Sequence, residues 1–172
     1  MSETSTDTAT SLALLGKYAR AIDHIAIAVN DLEEGIKYYS ERYGYQLFER
    51  RRTEGRTTAM VSAVMKAGPI TIVLLQGTSE ESQVARYVQH YGPGVQHIAI
   101  EVDDLPKMTE DLTAAGVKFD TSIISSPGLR QIFTHRDENS GMMYELIQRL
   151  GGDFSDESVK NLFEQLEAQD NY

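Results

Sequence analysis

Two histidines in this chain share one local setting. The strand-like run Ile22-Asp23-His24-Ile25-Ala26-Ile27-Ala28-Val29 and the run Val95-Gln96-His97-Ile98-Ala99-Ile100-Glu101-Val102 have His-Ile-Ala-Ile in common, 73 positions apart. Both run on into Asp-Leu and a helical pattern. A third group of interest is Glu145, in the otherwise apolar stretch Met142-Met143-Tyr144-Glu145-Leu146-Ile147. Burying an ionised carboxylate without a partner costs several kcal/mol or more, so a cation beside it is expected. Two imidazoles and one carboxylate form a metal-ligand set that leaves coordination positions open, the arrangement suited to iron(II) and O2.

The elements that would position these groups can be read in order. Residues 1–11 are Ser/Thr-rich and expected to be a disordered tail, with Leu12 to Arg20 a short helix or arm. In the strand Ile22–Val29, alternation places Ile22, His24, Ala26 and Ala28 on one face and Asp23, Ile25, Ile27 and Val29 on the other. Asp31 is suited to cap a helix carrying Leu32, Ile36, Tyr39 and Tyr43, closed by Gly44. Strands are expected over Tyr45–Arg52, Thr57–Lys66 and Ile70–Gln76, with the basic run of the first at a solvated edge. A linking helix follows over Ser79–Tyr91, capped by Ser79.

The pattern then repeats. The strand Val95–Val102 leads into a helix capped by Asp104, with Leu105, Met108, Leu112 and Ala115 as its stripe and Gly116 at its end. Strands are expected at Val117–Ile124, Leu129–His135 and Met142–Arg149. Each unit is βαβββ, so the fold class is α+β: two modules (21–77 and 94–149, joined by helix 79–91) whose two sheets pack in one pseudo-symmetric domain, 21–149. Residues 150–172 add a helix from Asp156, with Val159, Leu162, Phe163 and Leu166 apolar, expected to cap the pocket. Superposing the last strands sets Glu145 opposite Val73. The repeats agree on histidine and disagree at the third ligand.

Composition narrows the function. With 172 residues, 41% hydrophobic and 24% charged, the chain can form one domain with a substantial core. It has no cysteine, which removes disulfides, thiolate metal sites and iron–sulfur clusters. A net charge of −10 argues against a nucleic-acid surface. No apolar run approaches the roughly 20 residues of a membrane span, and no leader is apparent, so a cytoplasmic, unanchored protein is expected. A single histidine on an apolar strand is ordinarily a hydrogen-bonded core residue. Two at repeat-equivalent positions, flanked by small residues and joined by a strand-borne glutamate, reverse that reading. His90 and His135 are read as ordinary.

The duplication with His24, His97 and Glu145 resembles the vicinal oxygen chelate superfamily. More closely, it is similar to the catalytic C-terminal half of the 4-hydroxyphenylpyruvate dioxygenases. The matching pieces are Asp23-His24, Gly92-Pro93-Gly94-Val95-Gln96-His97-Ile98-Ala99, Gln131-Ile132-Phe133-Thr134, Glu145-Leu146-Ile147-Gln148-Arg149, Phe154 and Asn161-Leu162-Phe163-Glu164. The resemblance implies iron(II) on His24, His97 and Glu145. It also implies substrate contacts from Gln96, Gln131, Phe133 and Phe154, with Gln131 orienting the substrate in the catalytic step rather than acting as a base, and gating by Phe154 and the last helix. The activity implied is oxidation of a small 2-oxo acid with O2. Departures are the N-terminal domain of those dioxygenases, which this sequence does not carry, a helical insertion replaced here by Ser125-Ser126-Pro127-Gly128-Leu129-Arg130, and Leu74-Leu75-Gln76-Gly77 where the family holds its aromatic substrate. These point to kept chemistry on a changed substrate.

Two other readings compete. The block Thr78-Ser79-Glu80-Glu81-Ser82-Gln83-Val84-Ala85 is similar to methylmalonyl-CoA epimerases, metal-dependent enzymes with a fourth polar ligand; apolar Val73 weighs against them. The third is a small-molecule binding or resistance protein without turnover. One chain supplies both repeats, so the site needs no partner, although a homodimer is compatible with it.

Overall fold

Alternating β-branched runs and capped amphipathic segments form the elements described here, in a computed structural model that describes residues 14–169. The strands are β1 (Ala19–Ala28), β2 (Gln46–Glu54), β3 (Ala59–Ala67), β4 (Ile70–Gly77), β5 (Gly94–Val102), β6 (Ile124–Ser126), β7 (Leu129–Phe133) and β8 (Met143–Arg149). The helices are α1 (Leu32–Tyr43), α2 (Gln83–Tyr91), α3 (Leu105–Ala114) and α4 (Asp156–Ala168). The tail expected over residues 1–11 lies outside the described residues.

Each module starts the same way. The Asp31 side chain accepts from Glu34 N–H at the start of α1, and that of Asp104 from Lys107 N–H at the start of α3, satisfying N–H groups that a helix leaves without partners. The last strands add a matching bond: Gln76 Oε1 accepts from Leu32 N–H, and Gln148 Oε1 from Leu105 N–H. Gly44 closes α1 in the left-handed conformation, at φ 73°.

The expected two sheets are one. The eight strands run in the order β2-β3-β4-β1-β5-β8-β7-β6 and curl into a half-barrel. The join is the antiparallel pair β1–β5, centred on Ile25 opposite Ile98. Edge pairing of the first strands satisfies backbone groups that two separate sheets would leave exposed at both edges. On the convex side, α1 packs on Ala63, Met65, Ile72 and Leu74. The second module matches it, with α3 on Val102, Ile132 and Leu146. The concave side is lined by Ala26, Ala28, Leu75, Ala99, Met143 and Ile147.

Helix α4 crosses the open side of the half-barrel, touching both edge strands, β2 and β6. Its Phe163 joins the layer over Ala26 and Ala28, while Leu162 and Leu166 pack with Phe133 and Met143. Polar latches fix both flanks. Glu167 accepts from the backbone N–H groups of Arg56 and Thr58 at 2.9 and 2.7 Å and from the hydroxyls of Thr57 and Thr58. Gln165 Oε1 accepts from Ser122 N–H at 2.9 Å.

Several local expectations differ from the structure. Of the segment expected over Leu12–Arg20, the described residues 14–20 are helical only in the 3-10 turn Leu15–Lys17, and β1 has begun by Ala19. The linking helix starts after Ser82, not Ser79. The strand expected over Val117–Ile124 is reduced to an isolated Phe119–Thr134 bridge before β6. There the Thr121 hydroxyl takes the Phe133 N–H that a regular ladder would pair with a backbone carbonyl. Tyr43 and Ala115 lie outside the buried stripes of their helices.

Candidate metal centre

The pairing of β1 with β5 places Ala26 opposite His97 and His24 opposite Ala99, so the two histidines straddle the pseudo-twofold at Ile25–Ile98. Both imidazoles point to the concave side, over alanines whose small side chains leave room. Their ring centroids lie 5.6 Å apart. Strand β8 runs parallel to β5 with Glu145 beside Ala99, which brings the carboxylate between them. Glu145 Oε2 lies 3.3 Å from His24 Nε2 and 3.4 Å from His97 Nε2. One ligand atom from each of the three buried residues falls within 4.8 Å of the others. The strand β4 pairs with β1 as β8 does with β5, and there Val73 stands beside Ala26. The asymmetry expected from the sequence is thus present in the register.

What the alternation rule missed is how the histidines are held. The β1–β5 pairing carries one extra residue between Ile22 and His24 and another between Val95 and His97. These are β-bulges at Asp23 and Gln96, related by the same pseudo-twofold. A bulge turns its extra residue away from strict alternation. Asp23, expected on the convex face, instead places Oδ1 2.8 Å from His24 Nδ1, and Ile22 is left 59% exposed. Gln96 Oε1 lies 2.6 Å from His97 Nδ1, and its amide nitrogen reaches Gln83 at 3.5 Å. An acceptor on Nδ1 holds a proton there and turns Nε2 towards the centre, where it is the nitrogen a metal would take in place of any proton, the arrangement common behind metal-bound histidines. Sequence reasoning could have found this from the matching position of Asp23 and Gln96, each directly before its histidine.

Asp23 is in turn held by Arg149, at 2.5 and 3.1 Å. Burial acts against its charged form, yet His24 and Arg149 outweigh it and hold the carboxyl well below the usual range. Burial likewise disfavours charge on His24, but Asp23 on one side and Glu145 on the other push it up to about 9. For His97 burial wins over Glu145, and its pKa is lowered. Burial would raise Glu145, but the two imidazoles outweigh it and lower it. The triad thus keeps an ionised carboxylate 2% exposed to solvent, with Oε1 lacking any hydrogen-bond partner. An orphaned buried carboxylate oxygen and two oriented Nε2 atoms fit a divalent cation.

The other expected site residues lie on the same concave side. Phe133 meets the His97 ring edge-on at 4.9 Å, and Phe154 meets His24 at 5.9 Å. Gln131 on β7 stands beside Ile147 of β8, fully buried, with neither Oε1 nor Nε2 hydrogen-bonded. Gln96 is already engaged by His97 and Gln83. His90 meets Tyr91 edge-on at 4.5 Å, and His135 bonds Asp120 at 2.7 Å. Two contributors not singled out from the sequence are Arg149, behind Asp23, and Arg136, whose buried side chain packs on Tyr87 of the concave layer.

Known proteins are similar to this chain in sequence and fold. The profile of the glyoxalase/bleomycin resistance protein/dioxygenase superfamily covers residues 23–133. A 4-hydroxyphenylpyruvate dioxygenase from Pseudomonas aeruginosa is 31% identical over 185 aligned positions, covering 85% of this chain and 51% of that protein. The mitochondrial methylmalonyl-CoA epimerase of Homo sapiens is 28% identical over 130, covering 74% and 73%. A solved structure of a 4-hydroxymandelate synthase mutant from Streptomyces coelicolor superposes with a TM-score of 0.76 at 24% identity, covering 88% of this chain and 54% of that one. The chain spans about half the length, or less, of the dioxygenases it matches. Among the described residues no helix is long and apolar enough to cross a membrane.

Proposed function

We propose that this chain, which belongs to the glyoxalase/bleomycin resistance protein/dioxygenase superfamily, is a non-haem iron(II) dioxygenase that oxidises a small 2-oxo acid with O2. The observation that carries the reading is the inequality of the repeats. His24, His97 and Glu145 converge, while the position equivalent to Glu145 is Val73. Three protein ligands leave room for substrate and O2 on the same ion; a fourth would take one of those places. Similarity to a 4-hydroxyphenylpyruvate dioxygenase over 85% of the chain supports the same class.

His24, His97 and Glu145 would hold the metal, which when bound supplies O2 activation and a Lewis acid for the oxo acid. The protein contributes orientation and exclusion. Asp23 and Gln96 keep the Nδ1 protons in place, so each Nε2 is available as a ligand. Gln131 brings a buried amide with free donors and acceptor, suited to orient a bound oxo acid by hydrogen bonds. Phe133, Phe154 and α4 keep water from the reacting groups. Every residue of this set comes from one chain.

A second reading is a metal-dependent epimerase. It is favoured by coverage, since the human methylmalonyl-CoA epimerase is matched over 73% of its own length. The two separate on oxygen. The iron(II)-loaded protein with a panel of 2-oxo acids should take up O2 and release CO2 in equal amounts. Metal-loaded protein that consumes no O2 across the panel would contradict the dioxygenase assignment.

A further inference from the structure

Arg136 is a buried charge that the proposed iron chemistry leaves unused. It follows β7 and is 5% exposed. Its guanidinium carbon lies 4.9 Å from the Tyr87 ring centroid and 5.8 Å from that of Tyr91. Nη1 donates to the Gly141 carbonyl, while Nε and Nη2 are buried without any hydrogen-bond partner. The turn that holds it is fixed in place: Gly141 sits at φ 72°, and a Cβ there would come within 2.6 Å of the Tyr91 ring. Asp120, whose field reaches Arg136, is bonded to His135.

The side chain belongs to the layer that carries the metal triad. Tyr87 beneath it packs with Ala26 and Ala28 of β1, and Ala26 stands opposite His97. Two tyrosine faces stabilise a guanidinium but offer its N–H groups no in-plane acceptor. Buried donors without acceptors are costly to keep. Nε and Nη2 form one edge of the planar fork, and an oxyanion matches that edge in bidentate fashion.

We propose that Arg136 binds a carboxylate, or a comparable oxyanion, of the molecule held on the concave face, so that the substrate carries a second anionic group besides the one at the metal triad. This rests on reading the concave face as the substrate pocket, and it is independent of the oxidation chemistry. The geometry thereby selects dianionic oxo acids over those with a neutral tail.

The direct test is nuclear magnetic resonance of the full, isotope-labelled chain, following the Nε–H of Arg136 assigned through its own backbone. Titration with succinate should shift this resonance saturably, and the uncharged analogue succinamide should not. By calorimetry, Arg136→Gln should weaken succinate binding by about tenfold or more, the scale of a lost charge-assisted pair, and Arg136→Lys should recover part of it. An unmoved resonance, an equal response to succinamide, or unchanged affinity in Arg136→Gln would reduce Arg136 to a structural stack or a water site and overturn the proposal. If Arg136→Gln does not fold, the wild-type titration decides alone. A succinate response with no O2 uptake across the panel of 2-oxo acids would sink the iron reading and leave this one standing. O2 uptake without a response would do the reverse.

Discussion

Glu145 and Val73 occupy equivalent positions in the two halves of one sheet, Glu145 beside Ala99 and Val73 beside Ala26. A buried carboxylate thus faces hydrocarbon across a pseudo-twofold that otherwise equates His24 with His97. Val73→Glu should make the halves alike. Without metal, the added charge at this partly buried position should lower stability by about 1–3 kcal/mol. Manganese(II) should restore much of that loss while O2-coupled turnover falls. Denaturant unfolding with and without the ion checks the first part; an unchanged unfolding midpoint in the metal-free variant would contradict it.

The paired bulges should matter to the metal and little to the fold. Asp23→Leu and Gln96→Leu each remove the acceptor behind one imidazole while staying near the original side-chain size. Losses of about 10–100-fold in metal affinity are expected, measured by competition with a chelator. If affinity stays within twofold while the thermal midpoint drops, Asp23 and Gln96 serve packing instead.

Gln131 should behave as a functional residue within the core. Its amide finds no partner in the folded chain, so Gln131→Leu should leave stability within about 1 kcal/mol or raise it. Turnover with the 2-oxo acid should nevertheless fall by about tenfold or more. A large stability loss with normal turnover would place Gln131 among the structural residues.

The latch on α4 should be acid-sensitive. Burial would raise the Glu167 carboxyl, but the hydroxyl and N–H of Thr58, with Arg56 and Thr57, outweigh it and lower it. A depressed carboxyl contributes stability above its unfolded pKa, near 4.3, and loses it as pH falls through the folded value. Below about pH 4, hydrogen exchange in α4 should accelerate relative to the β1–β5 core. Glu167→Gln should show the faster exchange already at neutral pH, and identical exchange in the two proteins would argue against the latch.

Much of this architecture was legible because the sequence repeats. Once His24 and His97 were aligned, the caps Asp31 and Asp104, the strands around each histidine and the contrast of Glu145 with Val73 followed from periodicity. The bulges were not legible, since a single extra residue at Asp23 or Gln96 leaves no mark on an alternation pattern. The segment 117–124 misled for a related reason: its apolar residues suit a strand, but the Thr121 side chain replaces the ladder. Arg136 lay in a polar run, His135-Arg136-Asp137-Glu138-Asn139, which composition alone assigns to a solvated turn. Only its stacking on Tyr87 and Tyr91, far away in sequence, takes it inside. The Glu167 and Gln165 latches likewise depend on long-range placement.

The most direct test of the iron site follows the oxygen atoms. Iron(II)-loaded protein and a dianionic 2-oxo acid, turned over under isotopically labelled O2 in deuterated water, should give a product carrying heavy oxygen. The label should be absent with Glu145→Ala. A compound that gains no heavy oxygen but takes up deuterium at a carbon next to its carbonyl would contradict the account and identify a proton-transfer enzyme.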